Sequence, residues 1–289
     1  MYTLFTDSDT DITPIEAKKY GYKIISMPYR INDKEIYPYV DFNEFDYHSF
    51  YDLLRKGTLP TTSGLSPQQY IEYFEPELKK GNDILYVHFS GSMSGTFDSM
   101  RLAIKDLEEK YPNNKIYLLD TLGITIGSYN ICLEVGDMYL EGKSIQEILE
   151  WGKKEVQKFA VYFYADDLKF FRKSGRVSGL AAFFGGMVGI RPIITMNEEG
   201  KMVTYGKARG RIQTLTKLVD VVEELEDHIK DHRVVIAHAD CIEIANILEE
   251  LLKDRFGEDL DIVYSVVNPT AGSHCGPNAV GVSFHAKHR

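Results

Sequence analysis

The sequence predicts an α/β protein of two domains: an N-terminal Rossmann-like domain with a parallel sheet and a C-terminal domain with a mixed sheet. In the first half, apolar segments of strand length alternate with amphipathic helical segments that carry clear start signals. This alternation is typical of a parallel sheet with helices on its faces. In the second half, the turn segment 197–200 separates two short apolar runs, which predicts an antiparallel hairpin and hence a mixed sheet.

Three helix starts in the first half are marked by a capping box, in which a Ser or Thr precedes a Glu or Gln by three residues. The pairs are Thr13 with Glu16, Ser66 with Gln69, and Ser144 with Glu147. The elements predicted for this half are, in order, strand 2–6, helix 14–20, strand 24–31, helix 42–54, helix 67–80, strand 83–89, a helix that begins after residue 96, strand 115–119, helix 125–140 and helix 145–158.

The second half begins where the pattern changes, so the boundary is predicted near residue 158, with domains of residues 1–158 and 159–289. The elements predicted for this half are strand 160–165, helix 167–173, strands 191–196 and 201–206, helix 212–229, strand 233–238, helix 242–256, and strands 261–267 and 279–285. Segment 268–277 is predicted to be a turn-rich loop because it is crowded with Pro, Gly and Ser.

Composition limits the classes of partner. Against 43 Asp and Glu there are only 33 Lys and Arg, and the net charge of −10 argues against nucleic acid and against broad adsorption to anionic membranes. The longest apolar run, residues 180–190, is shorter than the about 20 residues of a bilayer span, so stable membrane insertion is not expected. The first residues lack a signal-peptide pattern and the three cysteines lack Cys-x-x-Cys spacing, which predicts a reduced, cytoplasmic protein.

The loop 90–96 is the first candidate for binding. It contains three serines, a threonine and two glycines, and it joins an apolar strand directly to a helix. Free backbone N–H groups and the helix dipole favour a small anion at such a point, and the absence of lysine excludes a nucleotide P-loop. The same pattern also fits an ordinary capped turn. Met93 stands where a Gly-x-Ser-x-Gly nucleophile elbow needs serine, so no catalytic residue is assigned from this motif.

Three further segments contain groups that bind or polarise ligands. Segment 60–67 places hydroxyls before a helix, segment 268–277 contains His274, and segment 169–176 is a basic island, echoed by Arg209 and Arg211. Each has a simpler interpretation, as helix caps, a surface histidine and a solvated basic face. Neither a His-Glu-x-x-His motif nor a complete calcium loop occurs, so no metal site is expected.

Five motifs occur in order along nearly the whole chain. They are Thr6-Asp7-Ser8, Thr62-Ser63-Gly64-Leu65-Ser66-Pro67, Ser94-Gly95-Thr96, Lys173-Ser174-Gly175-Arg176-Val177-Ser178 and Gly272-Ser273-His274-Cys275-Gly276-Pro277. Together they resemble motifs of the DegV family, bacterial fatty-acid-binding proteins that present acyl chains to a fatty acid kinase. The chain departs from the family pattern at Gly64, Leu65 and Ser174.

The resemblance implies that a long-chain fatty acid binds between the two domains, with no other cofactor. It implies that Thr62 and Ser94 hold the carboxylate and that His274 lies near this head group. Supporting positions in the head-group loops are Ser63, Gly95 and Thr96. It further implies that Arg176, assisted by Arg209, engages a separate fatty acid kinase or its phosphoryl group during formation of acyl phosphate.

The apolar stretch after Arg176 supplies candidates for an acyl channel, although such residues also fit an ordinary core. The candidates are Leu180, Phe183, Phe184, Met187, Val188 and Ile190. Two other functions remain open at this point. One is an acyl hydrolase that uses Ser94 as nucleophile and His274 as base, and the other is a lipid sensor that acts through protein contacts.

Overall fold

A computed structural model describes residues 2–183 and 189–289. Its strands are β1 (Tyr2–Asp7), β2 (Tyr22–Ile25), β3 (Tyr29–Ile31), β4 (Lys34–Ile36), β5 (Thr61–Thr62), β6 (Asp83–His88), β7 (Ile116–Asp120), β8 (Phe159–Tyr164), β9 (Val177–Ser178), β10 (Ile190–Met196), β11 (Met202–Arg209), β12 (Val234–His238), β13 (Ile262–Val266) and β14 (Val280–His285). Its α-helices are α1 (Pro14–Tyr20), α2 (Tyr47–Arg55), α3 (Pro67–Leu78), α4 (Thr96–Lys110), α5 (Ile126–Leu140), α6 (Ile145–Glu155), α7 (Lys169–Ser174), α8 (Arg211–Leu225), α9 (Ile242–Phe256) and α10 (Pro269–Cys275).

Two large sheets organise the fold. The first has the order β2-β1-β6-β7 and is parallel throughout. The second has the order β13-β12-β14-β8-β10-β11-β9 and mixes parallel with antiparallel pairs. The predicted α/β class, with a parallel and a mixed sheet, is therefore confirmed. All described strands of the mixed sheet follow residue 158, but division into two domains at that point stays a prediction.

Helix α5 lies between the two sheets, and its Cys132 Sγ is 3.5 Å from Thr6 Oγ1 of β1 in the parallel sheet. Most of its residues are buried, which is typical of a helix that is apolar on every side. It contacts β8, β12 and β14 of the mixed sheet and also packs against α1. Gly127 makes the approach possible, since a Cβ there would lie 3.3 Å from Cγ1 of Val161. One continuous apolar cluster therefore joins both halves, while α8 and α9 cover the opposite face of the mixed sheet.

The three predicted capping boxes are confirmed at α1, α3 and α6. The predicted strand 24–31 was wrong in its extent, because Pro28 lacks a backbone N–H and the chain divides into β2 and β3 in different sheets. Helix α2 begins later than predicted, at Tyr47, because the Asp46 side chain caps it by accepting from Ser49 N. Helix α8 ends at Leu225, where Glu226 adopts an extended conformation.

The prediction of a loop over residues 268–277 was also wrong, since this segment contains α10. Asn268 caps the helix by accepting from Ala271 N at 2.9 Å, and Pro269 occupies the first turn. The same side chain donates through Nδ2 to Asp11 at 2.7 Å, and the Asn268 backbone N–H donates to the same oxygen at 3.0 Å. A buried carboxyl after β1 thus fixes the start of α10.

We expect Asn268→Ala to destabilise the protein more than Ser66→Ala. Ser66 is an exposed cap of α3, so its loss removes about 1 kcal/mol. Asn268→Ala removes a cap and also one of the hydrogen bonds to the buried Asp11 carboxyl, which adds about 0.5–1.5 kcal/mol. Urea denaturation at neutral pH measures both free energies of unfolding. Equal losses for the two variants would contradict the role assigned to Asn268.

Candidate functional site

A cavity lies where the carboxyl edge of the parallel sheet meets the mixed sheet and α10. It contains about 1050 Å³ of space not occupied by protein, part of it open to solvent. Much of its wall is apolar. The apolar lining comprises Met27, Phe89, Met93, Ile124, Ile126, Val161, Phe163, Phe171, Met196, Met202, Ala237, Val267, Ala271, Ala279 and Val280. Hydroxyl groups, one imidazole, one carboxyl group, one guanidinium, the Cys275 thiol and two glycines complete the described wall.

The predicted residues Thr62 and His274 meet in this wall. Thr62 belongs to β5, which pairs with β3, and His274 lies in the last turn of α10. Thr62 Oγ1 lies 3.1 Å from His274 Nε2, within hydrogen-bond distance. Two segments that are 212 residues apart in the sequence therefore form one polar pair facing the cavity.

Ser94 and Thr96 line the same cavity at the start of α4, while Gly95 is the N-cap residue and is not among the lining residues. Ser94 Oγ accepts from Thr96 N at 3.2 Å. Thr96 Oγ1 in turn accepts from Leu65 N at 2.9 Å and shares a 3.0 Å hydrogen bond with the Tyr70 hydroxyl. Thr96 therefore joins the helix start to the loop that follows Thr62.

The departure at Gly64 has a steric reason. Gly64 lines the cavity next to Ser63 and packs against Thr96. A Cβ at this position would lie 3.1 Å from the Thr96 Cβ and 3.2 Å from its Cα, which is closer than ordinary packing. Glycine thus lets the two polar loops approach each other, and it maintains the position of both hydroxyl-bearing segments.

The other two serines of the loop 90–96 hold the fold together. Ser90 Oγ donates to Gly200 O at 2.7 Å, and Ser92 Oγ donates to Glu199 O at 2.6 Å. Both acceptors lie in the turn between β10 and β11. Ser94 is thus the serine of this loop that lines the cavity, while Ser90 and Ser92 attach the loop to the mixed sheet.

Burial and a neighbouring cation keep His274 neutral. Removal from water lowers the pKa of the His274 imidazole to about 4, and the positive charge of Arg176 contributes to the decrease. At neutral pH the Thr62–His274 pair therefore consists of a hydroxyl and an uncharged ring, with no formal charge. Such a pair can hydrogen-bond to a carboxylate without forming a salt bridge.

Of the two predicted arginines, one lines the cavity. Arg176 is exposed, and Nη1 donates to Ser174 O at 2.5 Å. Arg209 is exposed at the end of β11 and is not among the described lining residues. Lys173 of the basic island has a structural contact, because its Nζ donates to Leu59 O at 2.6 Å and ties α7 to the segment before Thr62.

Only two of the predicted acyl-channel residues, Leu180 and Ile190, have described side chains. Leu180 is buried in the core and Ile190 is half-buried at the start of β10, but neither lines the cavity. Phe184, Met187 and Val188 lie outside the described residues, as does the side chain of Phe183. The described apolar wall comes in part from β8, where the alternate residues Val161 and Phe163 share one face because side chains alternate between the faces of a strand. The rest comes from other strands of the mixed sheet, from α5, α7 and α10, and from loops that follow strands of the parallel sheet.

The wall also contains a buried carboxyl group that was not among the residues predicted from the sequence. Asp9 follows β1, is 5% exposed and lines the cavity. In the sequence it stands between two other buried acids, Asp7 and Asp11. Alternating acids at the carboxyl edge of a parallel strand were the available signal. Burial raises the pKa of Asp7 to about 7, and it also raises the pKa of Asp9 well above its ordinary value.

Comparison with known proteins identifies the family. A family model described as "Uncharacterised protein, DegV family" matches residues 1–287. A DegV domain-containing protein of Clostridium perfringens is 31% identical over 98% of this chain and 97% of its own length. The chain belongs to the DegV family. The family predicted from the five motifs is therefore confirmed.

Solved DegV structures have the same fold. One from Ruminococcus gnavus, described with vaccenic acid, has a TM-score of 0.83 at 23% identity and covers 98% of this chain and 99% of its own. One from Eubacterium eligens, described as loaded with heptadecanoic acid, has a TM-score of 0.84 at 22% identity and covers 99% of this chain and 100% of its own. At these identities the similarity establishes the fold.

The described part of this DegV chain contains neither a cluster suited to a metal ion nor a membrane-spanning helix. Among residues 2–183 and 189–289, no group of three or more His, Cys, Asp or Glu side chains is arranged to hold a metal ion. Over the same ranges, no helix combines the length and the apolar character needed to cross a membrane.

We expect the His274 imidazole to titrate with a midpoint near pH 4 in NMR spectra. Its pKa in the folded state lies below its ordinary value of 6.5, so unfolding takes up a proton between these pH values. The contribution of His274 to the free energy of unfolding is therefore fully present above pH 6.5, and it is lost as the pH falls toward 4. Arg176→Gln removes the neighbouring positive charge and is expected to raise the midpoint. A midpoint near 6.5 in the wild type would show that the ring is exposed to water.

Proposed function

We propose that this DegV protein binds a long-chain fatty acid in the cavity, holds the carboxylate with Thr62 and Ser94 beside His274, and presents it to a separate fatty acid kinase. The observation that carries the proposal is the meeting of three distant segments, those of Thr62, Ser94 and His274, in the wall of one largely apolar cavity. An apolar interior with a small polar cluster matches an amphiphile with a single head group.

Structural neighbours support this choice of ligand. The Ruminococcus gnavus protein is described with vaccenic acid and the Eubacterium eligens protein with heptadecanoic acid. Both are fatty acids. This chain shares the fold and family of these two proteins and has an apolar cavity lining. We therefore assign a fatty acid as its ligand class.

The tail is expected to supply most of the affinity. Burying about 14 methylenes at about 0.8 kcal/mol each gives a favourable contribution of about 11 kcal/mol, opposed by about 4–15 kcal/mol for association. Each hydrogen bond to the carboxylate adds about 1.5–3 kcal/mol. The hydroxyls of Thr62 and Ser94 therefore mainly fix the orientation of the acid, and the start of α4 contributes a favourable dipole.

A head group without a salt bridge suits transfer to a kinase. The neutral His274 leaves the carboxylate oxygen nucleophilic, so that it can attack the γ-phosphorus of ATP held by the kinase, with ADP leaving and acyl phosphate forming. Arg176 is exposed and lines the cavity, which suits contact with the kinase or the transferred phosphoryl group. Arg209, on the exposed end of β11, is the second proposed kinase contact.

The geometry favours binding over hydrolysis by Ser94. A nucleophilic serine needs an adjacent base, but His274 Nε2 lies against Thr62, and Ser94 Oγ accepts from the backbone of Thr96. An imidazole with a pKa of about 4 is also a weak base at neutral pH. Both observations weaken the hydrolase interpretation.

We expect Ser94→Ala to weaken binding of a long-chain fatty acid by about tenfold or more, because one hydrogen bond to the carboxylate is lost. Thr62→Val combined with Ser94→Ala should weaken it further. Displacement of a fluorescent fatty acid measures the dissociation constants, and native mass spectrometry identifies lipid carried by the purified protein.

Ser92→Ala is the matched control, because Ser92 lies in the same loop but binds Glu199 O. The methyl ester of the same acid should bind the wild type and Ser94→Ala with similar affinity. Unchanged fatty-acid affinity in the double variant would contradict the assigned head-group site.

We expect Arg176→Ala to keep bound fatty acid but to reduce acyl phosphate formation by a fatty acid kinase with ATP. The guanidinium is exposed, so its removal leaves the apolar lining intact. Arg101→Ala is the matched control, because Arg101 is an exposed arginine on α4 that pairs with Asp98. A variant that loses lipid yet still supports phosphorylation would contradict the role of Arg176, and wild-type protein that binds lipid without kinase-dependent phosphorylation would favour a lipid sensor.

A further inference from the structure

Three buried carboxyl groups, those of Asp7, Asp9 and Asp11, lie at the end of β1 and just after it, and hydrogen bonds within the fold fully engage two of them. Asp7 accepts from Asp9 N at 3.0 Å, from the Tyr86 hydroxyl at 2.9 Å and from Phe89 N at 3.2 Å. Asp11 accepts from the backbone and side chain of Asn268, and from Ser265 Oγ at 3.2 Å. These contacts account for the presence of both acids without a ligand.

Asp9 is different because its side chain has an unused acceptor. It is 5% exposed and lines the cavity, yet Oδ1 is buried without a hydrogen-bond partner among the described residues. The Thr270 hydroxyl lies beside Asp9, but it donates its hydrogen to Met27 O at 2.8 Å. The Asp9 backbone is already paired, since its carbonyl accepts from Thr125 N at 2.9 Å.

Asp9 lies in the same cavity wall as the proposed head-group site, at a short distance from it. Thr270, beside Asp9, and His274, beside Thr62, are four residues apart on α10, and both line the cavity. Residues at this spacing share one face of a helix and are separated by about 6 Å along its axis. Asp9 therefore lies about one helical turn from the Thr62–His274 pair.

The electrostatic surroundings of Asp9 suit contact with a neutral part of a lipid. Burial raises the pKa of Asp9 well above its ordinary value, and the carboxyl groups of Asp7 and Asp11 raise it further. A protonated Asp9 carries no charge that would repel a nearby carboxylate. Its Oδ1 is an acceptor in either protonation state, and a plain hydrocarbon chain offers this atom no donor.

We propose that the cavity has a subsite for a hydroxyl group on the acyl chain, and that Asp9 Oδ1 accepts the hydrogen of this hydroxyl. The ligand class is then a long-chain hydroxy fatty acid, with the hydroxyl in the half of the chain nearer the carboxylate. This inference rests on the proposed function, because it requires an acyl chain in the cavity. Asp9 is a specificity-determining residue in this role, since it acts on the choice of ligand.

The test compares octadecanoic acid with a series of hydroxyoctadecanoic acids in which the hydroxyl moves along the half of the chain nearer the carboxylate. Displacement of a fluorescent fatty acid from the full-length protein gives each dissociation constant. We expect at least one positional isomer to bind the wild type about tenfold more tightly than octadecanoic acid, as one additional buried hydrogen bond requires.

Two variants at Asp9 separate the hydrogen bond from general effects on the cavity. Asp9→Leu removes the acceptor, so it should abolish the preference for the hydroxy acid over octadecanoic acid. Asp9→Asn keeps an Oδ1 acceptor in nearly the same shape and should retain the preference. If Asp9→Leu does not fold, a wild-type protein that prefers no hydroxy isomer still overturns the subsite.

Failure of this inference can be distinguished from failure of the proposed function. Wild-type protein that binds octadecanoic acid tightly, but binds no hydroxy isomer more tightly, would overturn the subsite alone. A preference that survives in Asp9→Leu would also overturn it, since another group would then bind the hydroxyl. Wild-type protein that binds neither class of acid would overturn the fatty-acid function itself.

Discussion

The hydrogen bonds between Asp11 and Asn268 determine how the two halves of the molecule meet. Asp11 follows β1 of the parallel sheet, and Asn268 starts α10, which carries Thr270 and His274. Burial raises the pKa of Asp11 to about 7, while hydrogen bonds from Asn268 and Ser265 lower it and limit the increase. Through this contact, the position of β1 fixes the axis of α10 and therefore the side of the cavity from which His274 reaches Thr62.

The polar groups of the cavity and its neighbourhood have separate tasks, although the sequence presents them as similar clusters. Ser90, Ser92 and Lys173 bind backbone carbonyls of neighbouring segments and hold loops in place. Thr62 and Ser94 face the cavity instead. Since serine and lysine bind backbone and ligand atoms by the same chemistry, residue type alone cannot distinguish these tasks; only the position of the chain around each residue can.

Elements with local signals were predictable from sequence, whereas features that depend on distant partners were not. Helices α1, α3 and α6 begin at capping boxes, and the β10–β11 hairpin follows from its turn residues. The meeting of Thr62 with His274 was reached through family motifs, because no local pattern specifies a contact across 212 residues. The alternation of side chains along β8 identifies two faces of the strand. Only the packing of β8 against α5 shows that the face with Val161 turns toward the cavity.

The position of β14 has a consequence for folding. This strand follows all the other described strands in sequence order, yet it lies between β12 and β8 in the interior of the mixed sheet, and α10 directly precedes it. The β12–β13 pair therefore cannot join the rest of the mixed sheet, and the cavity wall with His274 cannot form, until residues 268–285 have been synthesised. Such long-range pairing slows folding and leaves strand edges exposed in partly made chains. During translation, the cavity wall thus cannot assemble until both α10 and β14 have been made.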